Sequence, residues 1–335
     1  MLDELRRRNH WLPLGTFGIG SACAWYTSSR SVVLFICIVL LTMFFTYLEL
    51  MAQWSFRAPP RRRPPIEDDA WNPTHVNVGS HQLAMYHQAQ SNDAPTVIMG
   101  HGWTAGAIRM THRAESFLER GWNVVMMDFP NHGGSTNLPK WSAEQTCTLA
   151  MQALNVLADQ KPSLFQNKIV YFGHSMGAFV GLRCSKRRDE LKFGDNIAAW
   201  IFESPMTGYT DIFEETCRLL LVPPPMRGLL LRKSIRQFNA MNKHVHQLVS
   251  LEEADTPAWG LPSEPTLLVQ AYPDERLGDL HHQRLTNAME SAGRSNLLTV
   301  HLLGELDHSG ANSNSARKAV IDRWIDANFA YSSSD

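Results

Sequence analysis

Ser175 stands in Gly173-His174-Ser175-Met176-Gly177, the most informative stretch of the chain. Lys168 to Phe172 before it form an apolar run of strand type, and a helical pattern opens at Met176. A G-x-S-x-G segment between strand and helix is a sharp turn that lifts a serine hydroxyl above a sheet. Its glycines are needed because the serine backbone is strained and its neighbours come too close for side chains. The helix N-terminus beneath the turn favours developing negative charge. The chemistry suggested is attack by the Ser175 hydroxyl.

A serine hydroxyl is a weak nucleophile and needs a base held by a third group. In this type of turn the partners follow in the order serine, acid, histidine. Asp274 stands shortly after the apolar run TLLVQA (266–271), with Glu275 and Asp279 as nearby alternatives. His308 lies in the loop GELDHSG after the last apolar run and is the expected base. Its neighbour Asp307 is a poor acid partner, since adjacent side chains rarely point at each other. His101-Gly102-Trp103 follows the run TVIMG (96–100) directly. The backbone N–H groups of Trp103 and Met176 are therefore the expected oxyanion donors, each typically worth about 3–4 kcal/mol of barrier. Gly102 permits the close turn, and His101 is read as structural. No metal and no organic cofactor is called for.

The elements that must carry these residues alternate. HVNV (75–78) and LAMYHQA (83–89) look like an antiparallel pair across Gly79-Ser80. TVIMG, NVVMMDF (123–129), KIVYFG (168–173), AAWIFE (198–203), TLLVQA and LLTVHLL (297–303) are the following strands. Helical patterns end near 121 or fall at about 142–159, 176–188 and 312–328. Continuous apolar strands alternating with helices mean a mostly parallel sheet with helices on both faces, an α/β fold. The Leu-rich insertion at about 205–264, with Pro223-Pro224-Pro225, predicts helices above the sheet rather than another βα unit.

On these residues the segment 71–335 resembles the α/β-hydrolase superfamily. The resemblance rests on His101-Gly102-Trp103, DFPNHGGS (128–135), GHSMG (173–177), Asp274 and His308. GHSMG and the D-x-P-x-H-G-x-S pattern look like the esterase, monoacylglycerol-lipase and acyl-thioesterase branch. It implies an eight-stranded sheet, a cap after the sixth strand, and Ser175, Asp274 and His308 as the triad. Ala271 and Asn131 depart from the family pattern, each standing where glycine is usual. A Ser-His-Asp hydrolase acting on a carboxylic ester or thioester is the implied activity. An acyltransferase, a peptidase and a non-catalytic relative are the alternatives.

Ser31 to Leu48 contains no charged residue, and as a helix the stretch nearly matches the roughly 30 Å hydrocarbon core of a bilayer. We read residues 1–57 as an N-terminal anchor with its span at about 31–50 and a weaker candidate span at 11–29. A Pro/Arg-rich linker (58–70) follows. Both an anchor and a linker of this kind predict that the hydrolase domain survives removal of residues 1–57. Arg30 and the arginines at 57 and 61–63 flank the span, while Arg6, Arg7 and Arg8 lie upstream; the positive-inside rule then favours a cytoplasmic catalytic domain. Tethering at a bilayer favours a lipophilic substrate.

The bulk composition conceals this segregation. The chain has 335 residues, 44% hydrophobic and 19% charged, with a net charge of -1. These values exclude a disordered chain and give no basic field for nucleic acid. Five cysteines without a CxxC pair argue against a disulfide framework or a zinc site. The three beyond the span (Cys147, Cys184, Cys217) suit a reducing compartment.

Overall fold

The computed structural model describes residues 11–59, 63–245, 247–309 and 312–329. Arg6, Arg7, Arg8, Arg61 and Arg62, which entered the orientation argument, lie outside the described residues. The helices are α1 (Leu12–Thr27), α2 (Val32–Trp54), α3 (Thr111–Leu118), α4 (Ala143–Gln160), α5 (Met176–Lys186), α6 (Tyr209–Leu219), α7 (Pro224–Met241), α8 (Leu280–Ser291) and α9 (Ser315–Phe329). The strands are β1 (Asn72–Val78), β2 (His81–Gln88), β3 (Thr96–Gly100), β4 (Asn123–Met127), β5 (Ile169–His174), β6 (Ile197–Glu203), β7 (Thr266–Ala271) and β8 (Leu298–Leu303).

The chain divides into two compact units. One contains Pro59–Asn137, Thr146–Gly208 and the chain from Asp255 onward, and it holds the sheet. Its eight strands run in the order β1-β2-β4-β3-β5-β6-β7-β8. β2 is antiparallel to β1 and β4, and the other pairings are parallel. The mostly parallel sheet agrees with the strand pattern, and its eight strands with what the α/β-hydrolase resemblance implies. Every residue of β3, β4 and β7 is buried, as continuous apolar runs covered on both faces require. β8 at the edge alternates between half-buried and exposed. Phe117, Trp122, Phe172, Ile321 and Trp324 belong to the apolar cluster built on the sheet.

Backbone contact, not side-chain packing, sets the centre of this sheet. β3 pairs with β5 so that Gly100 lies opposite Gly173. A Cβ on Gly177 would stand 2.1 Å from the Gly100 carbonyl oxygen, and one on Gly173 would stand 2.5 Å from the Ala178 Cα. Neither neighbour is a flexible side-chain end, so both positions must be glycine. Helix α5 is thereby held directly against the ends of two strands.

The other unit joins the chain up to Ala58 with Leu138–Gln145 and Tyr209–Ala254. The sequence division into a separable anchor and a separate cap therefore cuts the chain elsewhere than its contacts do. Helices α1 and α2 are linked by a short turn and pack together, and Thr42 fills the space that a side chain on Gly20 would need. Among the described residues, Val32–Trp54 is the one helix long and apolar enough to cross a membrane, with a mean hydropathy of 2.4 over its most apolar 18 residues. Its first turns leave Val32, Val33 and Leu40 exposed. Its last turns do not. Leu48, Met51 and Ala52 pack with Cys217, Val222 and Leu230 of the insertion.

A polar set completes that contact. The Lys233 ammonium donates to Glu49 Oε2 at 2.6 Å. Gln53 Nε2 donates to Glu49 Oε1 (3.2 Å) and to Gln237 Oε1 (3.0 Å), and Lys140 Nζ donates to Gln53 Oε1. Burying a leucine contributes about 1.5–3 kcal/mol, and a hydrogen bond to a charged group is of similar size. The apolar residues and the polar set both hold this end of α2, and the directional polar set fixes the register of α2 on α7. Gln53→Leu should cost this unit about 1–3 kcal/mol. The effect is read as faster proteolysis within 209–254 of the full-length protein in detergent; unchanged cleavage would mean that apolar contacts alone hold α2.

Candidate active site

Among the described residues, four of the five non-glycine residues with positive φ gather at one end of the sheet, the fifth being Leu221 of the other unit. Thr104 (φ 58°), Asn131 (68°), Ser175 (53°) and Ser204 (42°) follow β3, β4, β5 and β6, four strands adjacent in the sheet. Strained backbone persists where the surroundings over-determine it, and it clusters at functional sites. The edge is also the carboxyl end of the parallel strands, where open α/β sheets bind ligands. Asn131 explains one departure from the family pattern: asparagine tolerates the left-handed conformation that glycine otherwise supplies.

Ser175 sits at φ 53°, ψ −115°, immediately before α5. Its N–H donates to the Glu203 carbonyl at 2.9 Å, and its own carbonyl accepts from Met206 N–H at 3.2 Å. The three residues singled out by chain order come together here. His308 Nε2 lies 2.9 Å from Ser175 Oγ, and His308 Nδ1 lies 2.8 Å from Asp274 Oδ2. All three side chains are buried. The three side chains thus form one continuous hydrogen-bonded chain, Ser175–His308–Asp274.

The acid is held by more than the histidine. Asp274 Oδ1 accepts from the N–H groups of Arg276 (3.0 Å) and Leu277 (2.8 Å), and Oδ2 also accepts from Gln270 Nε2 (2.9 Å). Burial alone would raise its pKa, but the hydrogen bond and charge of His308 and these N–H donors outweigh it and hold the carboxyl below its ordinary value. Glu275 and Asp307 are exposed, and Asp279 is the residue that precedes α8.

The oxyanion candidates are carried by a second network. A Cβ on Gly102 would lie 2.9 Å from His174 Nδ1 and 3.3 Å from Ser175 Cβ, so the chain entering Trp103 runs beside the nucleophile. Met176 is the first residue of α5, where N–H groups lack intrahelical acceptors. His101 Nε2 accepts from Phe129 N–H at 3.0 Å, which leaves Nδ1 protonated to donate to the Gly102 carbonyl at 2.8 Å. His132 does the same for the next turn, accepting from Thr104 N–H and donating to the Pro130 carbonyl. Burial lowers His101 to about 4 and His132 to about 3, so both work as neutral rings. Asp128 ties the loops together. Its Oδ1 accepts from Ala107 N–H (2.7 Å), and its Oδ2 accepts from Gly134 N–H (2.9 Å) and the Tyr86 hydroxyl (3.0 Å). Gly133 (φ +45°) is forced, because a Cβ there would fall 1.9 Å from Asp128 Oδ2. The DFPNHGGS segment is thus a structural knot behind the oxyanion turn.

One feature escaped the sequence reading. Glu203 at the end of β6 is buried between two arginines. Arg113 Nη2 and Nε donate to its two oxygens at 2.6 and 2.8 Å, and Arg317 Nη1 lies 3.4 Å from Oε1. Burial opposes the charge, yet Arg113 and Arg317 outweigh it and hold Glu203 far below the usual carboxylate range. The three residues are 90 to 204 positions apart from one another at the extremes, and no local pattern links them. Among the described residues, no group of three or more His, Cys, Asp or Glu side chains is arranged to hold a metal.

Comparison with known proteins agrees with this fold. The family model described as serine aminopeptidase, S33 matches residues 91–247. Esterase YjfP of Escherichia coli is 24% identical over 212 residues, covering 61% of this chain and 78% of that protein. An esterase structure from Pyrococcus furiosus superimposes with a TM-score of 0.58 at 16% identity, covering 81% of this chain and 97% of the other. The mouse alpha/beta hydrolase domain-containing protein 10 gives 0.52 at 15% identity, over 76% and 97%. With its eight-stranded sheet, its strained serine turn and these structural neighbours, the chain has the α/β-hydrolase fold.

Proposed function

We propose that this protein is a membrane-anchored serine hydrolase that cleaves a lipophilic carboxylic ester or thioester through an acyl-enzyme. The observation that carries the reading is the unbroken chain Ser175 Oγ–His308–Asp274, with links of 2.9 and 2.8 Å. In the forward step His308 Nε2 takes the hydroxyl proton as Ser175 Oγ attacks the acyl carbonyl. Asp274 keeps the Nδ1–H tautomer and stabilises the imidazolium. The N–H groups of Trp103 and Met176 receive the oxyanion. The imidazolium then returns its proton to the departing alkoxide or thiolate, leaving Ser175 acylated. Water, deprotonated by His308, attacks the acyl carbon; the carboxylic acid leaves and Ser175 recovers its proton. No cofactor is needed for any of these steps.

The name esterase borne by the curated relative and by the archaeal structure supports ester over amide cleavage. The family model's aminopeptidase description favours an amide, and this is the second reading. For the anchor, the support is the apolar length of Val32–Trp54 together with the packing of its last turns in the unit that contains α7, which suits a retained helix better than a removed leader. The flanking Arg30, Arg57 and Arg63, with three buried free cysteines, support a cytoplasmic catalytic domain.

Ser175→Ala is expected to abolish labelling by a fluorophosphonate probe and hydrolysis of p-nitrophenyl acyl esters; labelling that persists refutes the nucleophile. Asp274→Asn should lower turnover by about three to four orders of magnitude, while Asp279→Asn stays near wild type; the reverse result would reassign the acid. Matched ester, thioester and aminoacyl-anilide series of increasing chain length should show esters or thioesters preferred and long acyl chains over short. Faster anilide turnover would favour the peptidase reading. Expressed in cells, the protein should remain in the membrane pellet after alkaline carbonate extraction, and its release would overturn the anchor.

A further inference from the structure

The residue before the nucleophile also reaches the base. His174, the last residue of β5, is part-buried, and its Nε2 lies 2.9 Å from the main-chain carbonyl oxygen of His308. A carbonyl only accepts, so Nε2 carries the proton. The two imidazole rings lie 5.4 Å apart. His174 Nδ1 faces the bare Cα of Gly102, where a Cβ would come within 2.9 Å. The ring is therefore wedged between the oxyanion turn and the loop of the catalytic base. Burial and the nearby Arg113 lower it to about 3, so a single N–H is available and it is committed to His308.

The same loop is held at two further carbonyls. Arg317 Nη2 donates to the Asn312 carbonyl at 2.7 Å, and Arg109 Nη2 reaches the Ser309 carbonyl at 3.4 Å. Both belong to the cationic side of the buried Glu203 site, since Arg317 contacts Glu203 directly and Arg113 Nη1 donates to the Arg109 carbonyl at 2.9 Å. Glu203 in turn receives the Ser175 N–H on its own carbonyl. The main chain of the nucleophile is thus tied to that of the base by His174, and through Glu203 and Arg317 to Asn312 farther along the chain.

We propose that His174 is a positioning residue: its Nε2–H fixes the backbone of His308, and with it the distance between base and nucleophile. This rests on the triad reading. The side-chain bond between Ser175 and His308 must break and re-form in each half-reaction, whereas the bond from His174 to the His308 carbonyl is unaffected by proton transfer. It keeps the imidazole in register while its charge changes.

The test uses the full-length protein and p-nitrophenyl butyrate. His174→Met, which fills the space without a donor, should lower kcat about 10- to 100-fold, the range over which partners that orient a functional histidine act, with KM within about twofold of wild type. His174→Gln places an N–H near the Nε2 position and should restore kcat to within about threefold, whereas His174→Asn falls one methylene short and should resemble methionine. Wild-type kcat in His174→Met overturns the proposal. So does a glutamine variant no more active than the asparagine variant, a comparison that stands even if the methionine variant fails to fold. Ser175→Ala and His308→Ala run alongside: full turnover in these would refute the triad itself, while their inactivity beside an unimpaired His174→Met would refute only the positioning role.

Discussion

Everything at the working edge of the sheet follows from the backbone of Ser175. A non-glycine residue at φ 53° and ψ −115° is unfavourable by about 1–3 kcal/mol. It is held there because its N–H and carbonyl are both bonded, to Glu203 and Met206, and because α5 is pressed onto the strand ends. That pressure is possible only because Gly173 and Gly177 present no Cβ to the contact. The strain raises the hydroxyl above the strands, and the same close approach brings the Gly102–Trp103 chain beside it. One backbone constraint therefore sets both Ser175 and the Gly102–Trp103 turn beside it.

Around it lie two kinds of polar scaffolding with different physics. His101, His132 and Asp128 hold loops through neutral or singly charged groups that each satisfy main-chain partners, so few charges are buried. Glu203, Arg113 and Arg317 bury three charges at one point. Replacing such a cluster by apolar residues is often neutral for stability, while removing one member is costly. A cluster of this kind is better suited to fixing where elements meet than to adding net stability, and here it links β6, α3 and α9 below the base.

How much of this was legible in the sequence depended on whether the signal was local. The strand-turn-helix around Ser175, the placement of Asp274 and His308 after the seventh and eighth apolar runs, and the sheet itself could be read because each is a short pattern in its proper order. Helix α8 was missed, since LHHQRLTNAMES carries little apolar periodicity. Glu203 is one carboxylate at a strand end, and its partners are fixed only when distant helices fold over it. His174 was in plain view as the variable position of the pentapeptide, but its partner is a main-chain carbonyl, which leaves no trace in sequence. Glu49 lies at the end of the expected span and Gln53 just beyond it, and nothing local to either residue announces their partners at 233, 237 and 140.

The depressed histidines have a consequence for the charge of the catalytic edge. His101, His132 and His174 all crowd the catalytic edge, yet each is shifted to about 3 or 4 and stays silent across the physiological range. Histidine is ordinarily the side chain that changes charge near neutrality. With these three imidazoles removed from that window, the histidines around the serine turn supply fixed hydrogen bonds to main-chain groups rather than a variable charge.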